Sequence, residues 1–113
     1  MGVVTVKDGV QFTKIAPGGF RILSAIDQSA VSLDFDLVIT SACDGEHSGP
    51  NDPHHSGNAY DLRTHDFTEV QKNALLDSIL HYLGYNYFFA FIEARGEANE
   101  HIHVQVKKGT QFP

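Results

Sequence analysis

The stretch Glu100-His101-Ile102-His103-Val104-Gln105, near the end of this 113-residue chain, decides how the rest is interpreted. Its polar and apolar residues alternate, which is typical of a β-strand with one face on a core. On such a strand His101, His103 and Gln105 share one face, and Ile102, Val104 and Val106 share the other. The apolar face would pack on the core, and the open face would carry two imidazoles side by side. We therefore expect a strand that presents histidines for chemistry.

An earlier segment supplies a further histidine and a carboxylate. It reads His54-His55-Ser56-Gly57-Asn58-Ala59-Tyr60-Asp61-Leu62. Three imidazole or carboxylate ligands, with a fourth position left open, form the ligand set of catalytic zinc. Gly57 and Ala59 are small enough to let the backbone pass close to a metal ion. Together the two segments predict a small zinc hydrolase.

The order and spacing of these residues resemble the zinc D-alanyl-D-alanine carboxypeptidases. That family also contains D-Ala-D-Ala dipeptidases, phage L-alanyl-D-glutamate endolysins and the Hedgehog signalling domain. The resemblance rests on His54-x-x-Gly57-x-Ala59-x-Asp61-Leu62 and on Glu100-His101-x-His103, and it extends over about residues 37–106. It implies that His54, Asp61 and His103 bind zinc (Zn2+). It also implies that Glu100 is the general base and that His101 lies beside the substrate and the oxyanion.

Some of these assignments have close rivals in the sequence. Any single histidine carries little weight, because the chain has seven of them. A register shift of one would make His55 the ligand in place of His54, although the small residues that follow favour His54. Glu97 is the rival general base, and Glu100 would otherwise be a surface residue of the acidic stretch 93–100.

The chain departs from the family just before the first ligand. Many members carry an arginine near the position of Asp44 that binds the substrate carboxylate or oxyanion. A subgroup of short, phage-associated relatives has Asp-Ile-Arg or Asp-Leu-Arg in the zinc block, which here is Asp61-Leu62-Arg63. Arg63 would then supply the missing cation, and a structural salt bridge is the alternative. Ser41 and His47 are weaker candidates for substrate contact.

Cys43 raises the question of a thiol hydrolase, because Asp44 and His47 follow it closely. A nucleophilic thiol usually lies at a helix N-terminus, which lowers its pKa. The residues after Cys43 are acidic and contain glycine and proline, so they do not predict a helix. A buried structural cysteine is therefore the better interpretation, and a single cysteine forms no internal disulfide.

Composition indicates a small globular protein. A length of 113 residues fits one domain, residues 1–113, and 42% hydrophobic residues suffice for a modest core. A formal net charge of −6 without runs of Lys or Arg argues against a nucleic-acid partner. No run reaches membrane-spanning length, and the first residues lack the pattern of a signal peptide. We expect a product made in the cytoplasm with no membrane partner, and the sequence predicts no oligomeric state.

The remaining patterns predict an α+β fold. Strands are expected over residues 3–6 and 12–15, joined by a turn at Asp8-Gly9, and over residues 37–40, 87–93 and 102–107. Helices are expected over residues 20–29 and 67–83, the second with a capping box from Asp66 to Glu69 and an end at Gly84. Residues 41–58 form a long loop of functional character. We expect a small antiparallel central sheet, two or three helices packed on it, and the zinc site in an open cleft.

These features lead to one main hypothesis and one alternative. The main hypothesis is a zinc-dependent metallopeptidase that cleaves short peptides with D-residues, such as peptidoglycan stem peptides or fragments. A zinc-activated water would attack the amide with Glu100 as general base, and release by a phage would bring the enzyme to the cell wall. The alternative is a non-catalytic, zinc-stabilised binding or structural module. Asp44 at the usual arginine position favours the module, whereas Glu100 favours the enzyme.

Overall fold

A computed structural model describes residues 2–42 and 57–110 of the chain. Within these residues the chain forms two helices and a five-stranded sheet. In chain order the elements are β1 (Val4–Val6), α1 (Pro17–Leu33), β2 (Leu37–Ser41), β3 (Ala59–Arg63), α2 (Glu69–Leu83), β4 (Phe88–Glu93) and β5 (His101–Val106). This arrangement confirms the predicted α+β class. Neither described helix is long and apolar enough to cross a membrane.

The strands lie in the order β1-β2-β3-β5-β4. Every neighbouring pair is antiparallel except β1 and β2, which are parallel. The sheet is therefore mixed and not purely antiparallel, because α1 connects β1 to β2 as a crossover and returns the chain in the same direction. This order places β5, which carries the two histidines, directly beside β3, which carries Asp61.

The core lies between the two helices and one face of the sheet. From the helices it takes Ile22, Ile26, Leu75 and Ile79, all fully buried. From the two central strands it takes Tyr60, Leu62, Ile102 and Val104, which are also fully buried. The alternation predicted for β5 is confirmed, because its apolar residues belong to the core and its histidines lie on the opposite face.

The N-terminal hairpin predicted over residues 3–15 is wrong. A turn follows β1 at residues 8–9, but residues 12–15 form no strand, and β1 pairs with β2. Phe12 is partly buried against the core instead, and its ring stacks on that of Tyr60 at a centroid distance of 5.9 Å. The segment then leads into α1, which begins at Pro17 and is longer than the predicted residues 20–29.

The second helix begins two residues later than predicted. Thr68, and not Asp66, is its N-cap residue. The Thr68 hydroxyl accepts from the Gln71 amide at 3.2 Å, and the Gln71 side chain accepts from the Thr68 amide at 2.9 Å. The pattern Thr-x-x-Gln meets the same physical requirement as the predicted box, because both cap the free amides of the first turn. The predicted end at Gly84 is confirmed.

Candidate metal centre

The register of the central strands brings the two sequence motifs together. Asp61 on β3 lies opposite His103 on β5, and Arg63 lies opposite His101. On the other side of β5, Glu93 of β4 lies opposite His101. Side chains directly opposite each other on one face of a sheet have Cβ atoms about 5 Å apart, so these groups are direct neighbours.

Asp61, His101 and His103 form a group that can hold a metal ion. Each offers one ligand atom, and the three atoms all lie within 4.8 Å of one another. Asp61 Oδ1 lies 2.9 Å from His103 Nδ1 and 3.7 Å from His101 Nε2. Bonds of about 2.0 Å in a tetrahedral zinc site place donor atoms roughly 3.3 Å apart, so small side-chain shifts would bring these atoms onto one ion.

The group is more buried than the sequence predicted. His103 is 8% exposed and Asp61 is 9% exposed, so these two side chains do not lie on an open face. The ring of His103 lies against Phe91 and Phe89 of β4, at centroid distances of 5.3 Å and 6.4 Å. A buried carboxylate is costly unless a positive group accompanies it, and an imidazolium or a metal ion meets that need.

His103 gains protons more readily than a histidine in water. Burial lowers its pKa, but hydrogen bonds with Asp61 and Gln105 raise it, and the net effect is a pKa above the ordinary value. A metal ion at His103 would compete with a proton for the same nitrogen. Metal binding is therefore expected to weaken as the pH falls.

His101 is oriented by a backbone carbonyl. Its Nδ1 lies 2.8 Å from the Asn99 carbonyl oxygen. A carbonyl only accepts, so Nδ1 donates and carries a proton. Nε2 is left to face Glu93 Oε1 at 3.2 Å and Asp61 Oδ1 at 3.7 Å. Metal-binding histidines commonly have this arrangement, in which one nitrogen donates to a carbonyl and the other binds the ion.

Glu100 is held by partners on both of its carboxylate oxygens. Oε1 accepts from Thr64 Oγ1 at 2.6 Å and lies 2.7 Å from Lys72 Nζ, and Oε2 accepts from the Gly96 amide at 2.9 Å. These contacts lower the pKa of Glu100 to about 2, and the contact with Lys72 has the largest effect. A general base works best with a pKa near the working pH. In this arrangement Glu100 anchors the start of β5 on α2, and its role as base stays a prediction.

A pocket of about 280 Å³ lies beside the candidate metal centre. Its lining includes Asp61, Arg63, Glu100 and His101, together with Lys7 and His65. Arg63 thus faces the same space as two of the candidate ligands. Within the described residues it forms no ion pair, so the alternative of a structural salt bridge finds no partner there.

The other predicted site residues divide into two groups. His54, the first predicted ligand, and His47 lie outside the described residues, as does Cys43. Ser41 ends β2 and lies opposite Asp61 in the β2–β3 pair, close to the candidate metal centre. The structure therefore brings together Ser41, Asp61 and the β5 histidines.

Three residues at or beside the site were missed or not weighed. Gln105 contacts His103; strand alternation predicts it on the histidine face, but no role at the site was assigned to it. Glu93 lies next to His101, and Lys72 binds Glu100. Neither contact has a signal in the sequence, because the first depends on strand order and the second on how a helix packs on the sheet.

Comparison of the chain with protein-family models, with curated proteins and with solved structures returns no match. The interpretation of the site therefore depends on the described side chains and on the motif spacing.

Proposed function

We propose that this chain is a zinc-dependent metallopeptidase that acts on short peptides with D-residues, such as peptidoglycan stem peptides. The observation that carries the proposal is the group Asp61, His101 and His103, whose ligand atoms lie within 4.8 Å of one another. Two imidazoles and one carboxylate are a donor set that suits zinc. Zinc bound there would act as a Lewis acid and bring the pKa of a water molecule to about 7.

The pocket beside the group supports a substrate with a free carboxylate. Arg63, Lys7 and His65 line it, although the chain as a whole has a formal net charge of −6. Arg63 can bind a carboxylate through two parallel hydrogen bonds. A volume of about 280 Å³ is at the lower end for ligand pockets, which suits the end of a short peptide. In this proposal the pocket receives the carboxyl end of the substrate.

Glu100 is the proposed general base because it lines the same pocket. It also lies three residues before His103, which is the position of the base in the zinc D-alanyl-D-alanine carboxypeptidases that the motifs resemble. To accept a proton it must exchange one of its present partners, Lys72 or Thr64, for the attacking water. His101 has one of two roles in this scheme, either as a metal ligand or as a hydrogen-bond donor to the substrate.

Release by a phage is the proposed route of the enzyme to the cell wall.

A second candidate function is a non-catalytic module that uses the metal ion for stability. The observation that favours it is the full engagement of the Glu100 carboxylate by Lys72, Thr64 and the Gly96 amide. A purely structural site needs no base, so a carboxylate used as an anchor is consistent with that role.

Metal analysis and a cleavage assay on the same preparation test both candidates. The peptidase proposal expects about one zinc ion per chain and cleavage of peptidoglycan fragments that a chelator stops and added zinc restores. His103→Ala should lose both zinc binding and cleavage. His81→Ala, on the distant surface of α2, is the matched control and should keep both. Stoichiometric zinc without cleavage would support the structural module. A protein that binds no metal ion would contradict both candidates.

A further inference from the structure

Gln105 presents a fixed hydrogen-bond acceptor to His103. Its side chain is 8% exposed, and its Oε1 lies 2.7 Å from His103 Nε2. The amide nitrogen of Gln105 donates to the Val106 carbonyl oxygen at 3.2 Å. That carbonyl can only accept, so the amide nitrogen must point toward it and Oε1 must point toward His103. His103 Nε2 is therefore the donor in its contact with Gln105.

We propose that Gln105 is a positioning residue that fixes the tautomer of His103 and so makes Nδ1 its metal-binding atom. The inference rests on the metal site of the proposed function but not on its peptidase activity. His101 has the opposite arrangement, since its Nδ1 donates to the Asn99 carbonyl and its Nε2 faces Asp61. The two histidines thus offer different ring nitrogens to the same site.

The need for such a residue follows from the position of Asp61. Its Oδ1 lies 2.9 Å from His103 Nδ1 and, as a charged acceptor, favours a proton on that nitrogen. A proton there would block the lone pair that binds the metal ion. Gln105 offers an acceptor to the other nitrogen and thereby favours the tautomer with Nδ1 free. Without Gln105, the ring would keep its proton on the side of Asp61.

The ligand atom of His103 tests the inference directly in the wild-type protein. The probe is an NMR-active cadmium isotope bound to protein with isotope-labelled histidine. We expect cadmium coupling to Nδ1 of His103, a proton on its Nε2, and the reverse pattern at His101. Coupling through Nε2 of His103 would overturn the inference and leave the metal site intact. Cadmium binding without coupling to any histidine, or no binding, would contradict the metal site itself and with it the inference.

Substitution of Gln105 tests its contribution to affinity. Gln105→Leu removes the acceptor and is expected to lower zinc affinity about ten- to a hundred-fold in a chelator competition titration. Gln105→Glu keeps an acceptor oxygen and should retain affinity within a few-fold. Gln28→Leu is the matched control, because Gln28 is exposed on α1 and its side-chain amide nitrogen donates to Ser24 Oγ at 3.0 Å on the same helix.

A folded Gln105→Leu variant with unchanged zinc affinity would overturn the inference. Circular dichroism and thermal melting establish whether that variant is folded. If it does not fold, the cadmium coupling of His103 in the wild-type protein decides the matter, because that measurement needs no substitution.

Discussion

At the residue scale the site converges on Asp61. Its Oδ1 lies within 4 Å of a ring nitrogen of both His101 and His103, and Arg63 follows two residues later on the same face of β3. A carboxylate that is 9% exposed interacts more strongly with positive groups than one in water does. The candidate metal ligand and the proposed substrate cation are thus held by one short strand.

Arg63→Lys is expected to impair cleavage of peptides that end in a free carboxylate. Lysine keeps the charge but loses the planar fork that forms two parallel hydrogen bonds. We expect kcat/KM to fall about tenfold or more, mainly through KM, in steady-state kinetics. Arg21→Lys is the control, since Arg21 is exposed on α1 and does not line the pocket. An unchanged kcat/KM would remove Arg63 from the site.

Glu100→Gln is expected to destabilise the fold in a pH-dependent way. The folded pKa of Glu100 is about 2, because Lys72, Thr64 and Gly96 favour the charged form. A lowered pKa in the folded state adds stability above the unfolded pKa of about 4.3. That stability disappears as the pH falls toward 2. We expect a loss on the order of 2 kcal/mol at neutral pH.

Urea unfolding of the wild type and Glu100→Gln between pH 7 and pH 2 measures this effect. The difference in unfolding free energy should be constant at neutral pH and shrink as the solution becomes acidic. Glu97→Gln is the matched control, because Glu97 is exposed. A difference that persists unchanged at the lowest pH would show that the charge of Glu100 is not the cause.

At the scale of elements, the start of α1 supports the strand that carries Asp61. A Cβ atom on Gly19 would lie 2.1 Å from the Gly57 carbonyl oxygen and 2.9 Å from the Tyr60 hydroxyl. The Ala16 amide also donates to that Gly57 carbonyl at 3.3 Å. The helix and the segment before β3 are therefore in backbone contact, which fixes where β3 begins.

Gly19→Ala is expected to destabilise the protein although alanine is the better helix former. The clash is with backbone and cannot be relieved by a side-chain rotation, so about 1–3 kcal/mol of overpacking should exceed the gain in helix propensity of about 1 kcal/mol. Chemical denaturation measures the change. Asp27→Ala, at an exposed position of the same helix, should cost little. Equal or higher stability of Gly19→Ala would contradict this packing.

At the scale of the whole molecule, the core and the site occupy opposite faces of the central strands. The helices cover the face of Leu62 and Ile102, and the other face carries Asp61 and His103. Because the candidate ligands come from two strands that meet only in the folded state, metal binding and folding should be linked.

Zinc is expected to raise the melting temperature. At a free zinc concentration about a hundred times Kd, binding adds about 2.7 kcal/mol, which is roughly ten degrees for a domain of this size. Differential scanning calorimetry with zinc and with a chelator measures the shift. His103→Ala should abolish it and His81→Ala should retain it. A melting temperature that does not respond to zinc would contradict the metal site.

The sequence alone determined what depends on local periodicity and on backbone sterics. The alternation around His101 and His103 predicted β5 and its two faces, the mostly β-branched residues 37–40 predicted most of β2, and Gly84 predicted the end of α2. Each of these features depends on residues a few positions apart. The family resemblance implied a shared site for Asp61 and His103, and Asp61 Oδ1 lies 2.9 Å from His103 Nδ1.

For the other distant groups, only the tertiary structure decided which of them meet. The parallel pairing of β1 with β2 replaced the predicted hairpin, because the crossover through α1 is a non-local choice that turn residues do not encode. Lys72 reaches Glu100, and Glu93 reaches His101, through helix packing and strand order. Those contacts set the charge state of the proposed base and the surroundings of one histidine. Periodicity determines which face of a strand each side chain lies on. The order of the strands and the packing of the helices determine which side chains of other elements it contacts there.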